Sequence, residues 1–301
     1  MLSRIDIENE LGKGINIHPL NLDNIRENFI DLTVSRFAWS LGVGLIKHTG
    51  TAKFEFSASR VDTYSQEKGK SCCVTVTEGR KDIRYILVLP HSQTIVETEE
   101  VVAVDWYIGG SLHSKVDIVS RGIGAFSTLL GPRFSGHFML ALHNTTENII
   151  AIPVGSKIAA LAFFYLNSPI SNTASAATSG HVSKFAELGI ICDSSVRTIL
   201  EESWKTNIVG VRDHMVESET YKTLCERKAR AKTHWVKSVF SKENMIKVLV
   251  TIGLFVFLGI IAYSVDKYTG NTEWFDKFIN VGCSGIFVTI IAAIWKSLPK
   301  K

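Results

Sequence analysis

Apolar and polar residues alternate through the stretch Gly109–Asn144 with the period of two that is typical of half-buried β-strands. Phe138, Leu140 and Leu142 fall on one side of such a strand. The pattern therefore predicts a series of short strands separated by turns. The turn positions are occupied by five glycines, Gly109, Gly110, Gly122, Gly124 and Gly136.

Further strands are predicted before and after this stretch. The N-terminal residues predict a short amphipathic helix over Ile5–Leu11, then one strand and a second strand that opens near Asp31. Gly42–Lys81 is polar and contains several glycines, which favours hairpins or an insertion, with a strand over Cys72–Thr77. Arg84–Leu166 supplies most of the remaining strands.

The pattern changes after Leu166. Asn167–Ser183 is rich in Ser, Thr, Ala and Asn, which predicts a mobile segment. Ser194–Trp204 and Val211–Phe240 place apolar residues among charges at helical spacing, which predicts a helical stalk. Basic residues in the stalk suit either anionic lipid headgroups or a solvated helix face. They are Lys222, Arg227, Lys228, Arg230, Lys232, Lys237, Lys242 and Lys247.

Two long uncharged runs follow the stalk, Val248–Val265 and Phe278–Trp295. At about 1.5 Å per residue, each run is close to the thickness of a bilayer core. The sequence thus predicts a two-helix transmembrane hairpin embedded in a lipid bilayer. Lysines are more frequent outside the runs than in the loop between them, so both chain ends are expected to face the cytoplasm. We expect a two-pass protein of the bacterial inner membrane.

Composition narrows the remaining classes of function. The formal charge of +4 over 301 residues, without a local basic patch on the strands, gives no indication of nucleic-acid binding. The five cysteines have no metal-type spacing, and the adjacent Cys72 and Cys73 are poorly placed to bridge each other. A reducing environment is the simplest interpretation. Met1–Leu20 lacks the apolar run of a secretory signal peptide.

Two motifs in the central stretch resemble the dCTP deaminase and trimeric dUTPase superfamily. The phosphate motif of that superfamily, Arg-Ser-Ser-Leu-Ala, has a counterpart in LHSKV, Leu112–Val116. The Ile-Asp-Pro-Gly-Trp-Ser-Gly turn has a counterpart in LGPRFSG, Leu130–Gly136. The separation of the two motifs agrees with the deaminase branch without a gap.

Flanking segments extend the resemblance to residues 1–170. Leu2–Leu32 resembles the opening helix and strands, Val88–Val102 the strand pair before the phosphate motif, and Ile152–Leu166 the closing strands. The resemblance implies a mainly β fold, a β-clip or distorted jelly roll, that assembles as a homotrimer with nucleotide sites at subunit boundaries.

The pattern and the resemblance together divide the chain into four parts. They are a nucleotide-binding domain over 1–170, a flexible linker over 171–190, a helical stalk over 191–244 and the transmembrane hairpin over 245–297.

The catalytic positions of the family are altered in this chain. Deamination without a metal needs a carboxylate to move the proton of the attacking water, and the resemblance places that glutamate at Ala141. The arginine after the phosphate motif corresponds to Ile118, and the aspartate before the proline turn to Gly131. His137 and His143 lie too far apart along a strand to share a metal ion. We therefore expect an inactive site with no cofactor and no metal.

Phosphate-binding groups are better represented than catalytic ones. Ser114 is retained from the family motif and Lys115 follows it, and we expect both to contact a nucleotide ligand. His113, Arg121 and Arg133 are further candidate phosphate contacts that could replace the missing arginine. For these three residues, a solvent-exposed surface role is the alternative.

Relocated carboxylates keep an enzymatic alternative open. Asp105, Asp117 and Glu147 lie near the motifs, and one of them could serve a membrane-tethered dUTP diphosphatase or dCTP deaminase. Asp117 would share one face of an extended strand with Lys115, which favours a structural ion pair over catalysis.

The sequence as a whole favours a membrane-anchored, catalytically inactive relative of this superfamily. Such a protein would bind a nucleotide or nucleotide-derived signal in the cytosol and act as a sensor or effector through its hairpin. By analogy of layout, it would serve in antiphage defence. A further alternative is a trimeric scaffold that presents the stalk to protein partners.

Overall fold

The computed structural model describes residues 1–42, 44–47, 63–78, 81–168 and 181–239, and eight isolated positions between 253 and 268. The chain divides into two compact units, Met1–Lys222 and Thr223–Lys301. The described strands are β1 (Ile15–His18), β2 (Ile30–Ser40), β3 (Gly44–Lys47), β4 (Thr63–Gln66), β5 (Cys73–Glu78), β6 (Lys81–Val88), β7 (Gln93–Thr98), β8 (Val101–Val104), β9 (Ile108–Ser114), β10 (Ser127–Leu130), β11 (Ser135–Gly136), β12 (Met139–His143), β13 (Ile150–Pro153) and β14 (Lys157–Tyr165).

Helices are short in the N-terminal half and longer toward the C terminus. The described α-helices are α1 (Arg4–Glu10), α2 (Val116–Ser120), α3 (His181–Leu188), α4 (Ser194–Leu200), α5 (Ile208–Glu217) and α6 (Glu219–Val239). Short 3₁₀ turns lie at Leu22–Asn24 and Ser203–Thr206.

A six-stranded antiparallel sheet with the order β10-β9-β14-β2-β7-β12 forms the centre of the first unit. Two three-stranded sheets, β1-β8-β11 and β13-β6-β5, complete the barrel-like core. The side chains of Leu112, Leu142 and Phe163 are fully buried in that core. The mainly β architecture predicted from the alternating pattern is therefore confirmed.

Strand β12 shows how the alternation sets the two faces of a strand. Leu140 and Leu142 are buried, whereas Met139 and Ala141 lie on the opposite face. Helix α1 begins one residue earlier than predicted because Ser3 forms a capping box with Asp6.

The residues after the phosphate motif form helix α2, where the sequence predicts extended chain. Lys115 is the N-cap residue of α2, and Gly122 follows the helix with a φ of 97°. Ile118 is buried, and Asp117 is exposed on the helix. The predicted strand face shared by Asp117 and Lys115 is therefore wrong, because the backbone enters α2 directly after Lys115, and from that helix Ile118 is buried while Asp117 is exposed.

The segment 181–217 packs against the strands as part of the first unit. The side chains of Phe185 and Leu200 join an apolar cluster with Trp39 on β2. On α5, Val211 and Met215 are fully buried, and Val211 packs against the β8 residues. The helical pattern predicted for the stalk is present here, but its apolar stripe is covered by the barrel.

The described part of the chain contains no helix that is both long and apolar enough to cross a membrane. The hairpin predicted over 245–297 lies almost wholly outside the described residues. Within the predicted linker, residues 171–180 lie outside them, and the following residues belong to α3.

Candidate functional site

The predicted phosphate motif lies at the junction between β9 and α2. Ser114 ends the strand, and its Oγ accepts a hydrogen bond of 3.4 Å from the backbone N–H of Phe126. The backbone N–H of Lys115 donates to the carbonyl oxygen of Ile158 at 3.0 Å. Both residues are half-buried. Hydrogen bonds to neighbouring strands therefore hold the backbone of this pair in place.

Three cations converge on one buried carboxylate beside Ser114. The Nζ of Lys115 lies 2.5 Å from the Oδ1 of Asp31, while the Nε of Arg26 and the Nζ of Lys157 lie 2.8 Å and 3.2 Å from the Oδ2. The Asp31 side chain is fully buried, whereas the three cationic side chains are 26–47% exposed. We call these four residues the Asp31 cluster.

The Asp31 cluster carries more positive than negative charge. Burial alone would raise the pKa of Asp31, but hydrogen bonds from Lys115, Arg26 and Lys157 outweigh it and lower that pKa. At neutral pH, one ionised carboxylate therefore faces three cations, which leaves two positive charges over. Arg26 and Lys157 also line a cavity of about 750 Å³ next to Phe29.

The remaining predicted phosphate contacts are spread around this junction. The Nε2 of His113 lies 3.2 Å from the Oγ of Ser111, and Arg121 donates to the carbonyl oxygen of Ala151 at 2.6 Å. Arg133 lies beyond the other end of β10, because Ser127 pairs with His113 and Leu130 pairs with Gly110. At about 3.3 Å per residue, this end of β10 is roughly 10 Å from His113.

The structure therefore brings Ser114 and Lys115 together, but it places Arg133 elsewhere in the same chain. Arg133 has a left-handed backbone, with a φ of 61°. This backbone conformation is a feature of the turn after β10 and is independent of what the guanidinium of Arg133 contacts.

The three altered catalytic positions have different surroundings. Ile118 is a fully buried core residue, and a Cβ added to Gly131 would meet no heavy atom of the described residues within 4 Å. Ala141 packs on the apolar cluster that contains Trp39 and Phe185. Apolar side chains thus border the position that the resemblance assigns to the proton-moving glutamate.

A buried carboxyl that the sequence reasoning missed lies close to Ala141. Glu97 on β7 pairs with Met139 on β12, and Ile95 pairs with Ala141, so Glu97 and Ala141 lie on the same side of the sheet. Glu97 is 2% exposed, and among the described residues its Oε2 has no hydrogen-bond partner. Burial raises the pKa of Glu97 to about 7, against the opposing charge of Lys205. The sequence contained one sign of this burial, because Glu97 is two residues from the apolar Ile95 and therefore lies on the same face of the strand.

The carboxylates considered from sequence have other partners. Asp105 accepts a hydrogen bond from the backbone N–H of Trp106, and Glu147 lies 2.9 Å from the Nε2 of His91. Among the described residues, no three His, Cys, Asp or Glu side chains lie close enough together to hold a metal ion.

Comparison of the sequence with known proteins finds dCTP deaminases, although no family model matches the chain. The dUMP-forming dCTP deaminase of Corynebacterium diphtheriae is 26% identical over 157 residues, which cover 52% of this chain and 75% of the relative. The enzyme of the same description from Bifidobacterium adolescentis is 32% identical over 93 residues, 30% of this chain and 48% of the relative. This chain is therefore distantly similar in sequence to dUMP-forming dCTP deaminases.

Solved structures similar to this chain include a dCTP deaminase and a dUTPase. The 2′-deoxycytidine 5′-triphosphate deaminase of Agrobacterium tumefaciens shares 14% identity with a TM-score of 0.36, covering 54% of this chain and 47% of that one. The dUTPase of EIAV shares 14% identity with a TM-score of 0.26, covering 33% of this chain and 88% of that one. Because both TM-scores lie below 0.5, the homology rests on the sequence relatives.

Proposed function

We propose that this chain is a catalytically inactive relative of the dCTP deaminases that binds a nucleotide or nucleotide-derived signal at Ser114 and Lys115. The observation that carries this proposal is the environment of Ala141. A general base must contact the water that it deprotonates, but Ala141 has no ionisable group and packs on apolar side chains.

The Asp31 cluster supports the binding half of the proposal. Its three cations exceed its single carboxylate by two charges, which is the charge of one fully ionised phosphate group. A lysine ammonium has three donors, so Lys115 can keep its bond to Asp31 and still donate to a phosphate oxygen. The hydroxyl of Ser114 is adjacent to Lys115 and supplies a further donor.

Trimeric assembly is part of the proposal, because the resemblance places nucleotide sites at subunit boundaries. Val116 and Leu129 are large apolar residues with exposed fractions of 83% and 78%. Side chains of this kind suit a protein interface better than open solvent. In such an assembly, Arg133 of one subunit could reach the Ser114 of another.

The membrane part of the proposal rests on the sequence of residues 245–297. We infer that the two uncharged runs anchor the protein in a bilayer, so that nucleotide binding acts on the membrane-embedded segment, as in a sensor or effector for antiphage defence. Alkaline carbonate extraction of cells expressing the full chain tests the anchor. Recovery in the membrane pellet supports it, and release into the supernatant without detergent contradicts it.

Binding and turnover are tested on the purified full chain. We expect calorimetry to detect binding of dCTP or dUTP. We expect activity assays with and without magnesium to show no product from either nucleotide. Ser114→Ala combined with Lys115→Ala should weaken binding at least tenfold, whereas Ser195→Ala with Lys81→Ala, two exposed residues elsewhere, should not. Rapid conversion of either nucleotide would overturn the inactive assignment.

Glu97 favours a second candidate function, that of an active deaminase or diphosphatase. A carboxyl with a pKa of about 7 on the same side of the sheet as Ala141 has the protonation behaviour of a general base. It could act only if the apolar segment that contains Phe185 moved away. Turnover that is abolished by Glu97→Gln and retained by Glu99→Gln would select this function.

A further inference from the structure

A second cavity lies between the strands and the segment 199–205, apart from Ser114 and Lys115. Its volume is about 630 Å³, within the range of small-molecule sites. The strands contribute the side chains of Arg36 and Arg84, and the segment contributes Trp204 and Lys205. Neither of the two predicted phosphate-binding residues lines this cavity.

An irregularity in β2 creates one wall of the cavity. The pairing of β2 with β7 shifts register between Val34 and Ala38, and the intervening Ser35, Arg36 and Phe37 all line the cavity. The Oγ of Ser35 accepts a hydrogen bond of 3.0 Å from the backbone N–H of Phe37. A side chain thus provides the partner for this N–H within the irregular part of the β2–β7 pairing. Irregularities of this kind redirect side chains and are frequent next to functional sites.

Among the described residues that line the cavity, three carry a positive charge, Arg36, Arg84 and Lys205, and two carry a negative charge, Glu99 and Glu202. Arg36 and Arg84 are both exposed, and neither takes part in the ion pairs formed between described residues. Lys205 is only 7% exposed, and its Nζ forms an ion pair with the Oε2 of Glu202 at 3.3 Å. The other carboxylate at the cavity, Glu99, is exposed.

Aromatic rings lie beside these cations. The guanidinium of Arg36 lies 5.0 Å from the centre of the Phe37 ring. The Trp204 ring stacks on His214 at 4.1 Å, and the ring of His18 meets its edge at 5.4 Å. Burial, together with the nearby His214 and Lys205, lowers the pKa of His18. The cavity is therefore lined by cationic groups and by the aromatic side chains of His18, Phe37 and Trp204, and one face of the Trp204 ring is covered by His214.

We propose that this cavity binds a nucleoside phosphate, with the phosphate held by Arg36 and Arg84 and the base lying against Phe37 and Trp204. Guanidinium groups match phosphate oxygens through paired hydrogen bonds, and aromatic rings bind the flat face of a base. This inference is independent of the proposed function, because it uses none of the residues of the Ser114 site.

Occupancy of the cavity would join the barrel to the segment that follows it. Arg36 and Arg84 belong to strands, whereas Trp204 and Lys205 belong to the 3₁₀ turn before α5. A ligand that contacts both sides stabilises the docked arrangement by its binding free energy. The cavity thus gives nucleotide binding a direct effect on the helices that lead toward the C terminus.

The test uses the full chain carrying Ser114→Ala and Lys115→Ala, so that the first site is silent. AMP and dCMP are titrated calorimetrically, with inorganic phosphate and the two nucleosides as separate probes. We expect at least one nucleotide to bind, and inorganic phosphate to bind at least tenfold more weakly. Adding Arg36→Ala and Arg84→Ala should weaken the nucleotide at least tenfold. The matched control adds Arg197→Ala and Arg212→Ala, two exposed arginines that do not line the cavity.

Each other outcome contradicts the inference. If neither nucleotide binds once the Ser114 site is silent, the cavity is not a nucleotide site, while the proposed function stands. If inorganic phosphate binds as tightly as the nucleotide, the aromatic residues contribute nothing and the site binds only anions. Equal losses in the test and control variants would indicate a general effect of positive charge. Thermal melts of every variant establish that the exposed arginine substitutions leave the fold intact.

Discussion

The ammonium of Lys115 lies 2.5 Å from the buried carboxylate of Asp31. The two residues are 84 positions apart in the sequence. Their contact connects β2, which contains Asp31, to the segment Leu112–Val116 that resembles the phosphate motif. The same carboxylate also accepts Arg26 and Lys157. Asp31 therefore fixes the position of the cations that we assign to phosphate binding.

Replacing Asp31 by Asn should destabilise the protein by about 3 kcal/mol, because three cations lose their common partner. Urea denaturation of the wild type and the variant measures this loss. Asp23→Asn, at an exposed position in the nearby 3₁₀ turn, is the matched control and should change stability by less than about 0.5 kcal/mol. Equal effects of the two substitutions would show that the Asp31 cluster is not a stabilising unit.

Asp31 also predicts a dependence of stability on acid. Its pKa is lower in the folded protein than the usual value of 3.8, so its stabilising contribution is complete above that value. The contribution is lost as the pH falls through the folded pKa, where the carboxylate becomes protonated. The free energy of unfolding, measured by denaturation at several pH values between 5 and 2, should therefore fall less with decreasing pH for Asp31→Asn than for the wild type.

Glu97 predicts the opposite dependence at higher pH. Its pKa is raised from 4.5 to about 7 by burial, so the folded state retains the proton over that interval. The contribution of Glu97 to the free energy of unfolding is therefore greatest below about pH 4.5, falls by an amount on the order of 3 kcal/mol as the pH rises to about 7, and is constant above that pH. Glu97→Gln should remove this loss at pH 8. Glu99→Gln, at an exposed neighbouring position, should not.

Part of the slope should survive in Glu97→Gln. Burial also raises the pKa of Glu100 to about 7, although Thr33 donates two hydrogen bonds to that carboxylate. A stability profile of Glu97→Gln that matches the wild type from pH 5 to 8 would contradict the assignment.

Restoring a glutamate at Ala141 should destabilise the protein rather than activate it. Ala141 packs on the apolar cluster with Trp39 and Phe185, so a carboxylate there loses solvation without gaining a partner. We expect Ala141→Glu to cost about 2 kcal/mol in the free energy of unfolding. Ala125→Glu, at an exposed position, should be close to neutral. If Ala141→Glu gained dCTP deaminase activity, the claim that apolar packing keeps a carboxylate at this position from acting on water would be contradicted.

Gly210 allows α5 to approach the preceding 3₁₀ turn. A Cβ at this position would lie 2.8 Å from the backbone Cα and O atoms of Trp204. Gly210→Ala should therefore lower thermal stability by about 1 to 2 kcal/mol, despite the higher helix propensity of alanine. Gly131→Ala is the control, because no atom of the part of the chain that the structure describes lies within 4 Å of the added Cβ, and it should leave the melting temperature unchanged. A neutral Gly210→Ala would show that this contact is not close-packed.

Local features of the fold could be predicted from the sequence. The alternation around Leu140 and Leu142 predicted a strand whose inner face is buried, and the strand opening near Asp31 is present as β2. These features depend on neighbouring residues, whose periodicity is visible without knowledge of the partner strands.

Contacts between distant segments could not be predicted in the same way. The sequence contained Arg26, Asp31, Lys115 and Lys157, but nothing in their spacing showed that they meet. The register shift in β2 that turns Arg36 toward the second cavity likewise depends on β7. Local patterns specify which residues are buried, and pairing specifies what they are buried against.

The sequence alone determined a mainly β domain with a motif that resembles the phosphate motif of the dCTP deaminases, an alanine, Ala141, at the position that the resemblance assigns to the catalytic glutamate, and two apolar runs near the C terminus. The tertiary structure decided the surplus of positive charge around Asp31, the burial of Glu97, and the packing of Val211 and the rest of its helix on the strands. The first set follows from the identity and periodicity of residues along the chain. The second arises only when segments far apart in the chain exclude water from one another, since burial and proximity set charge balance and pKa.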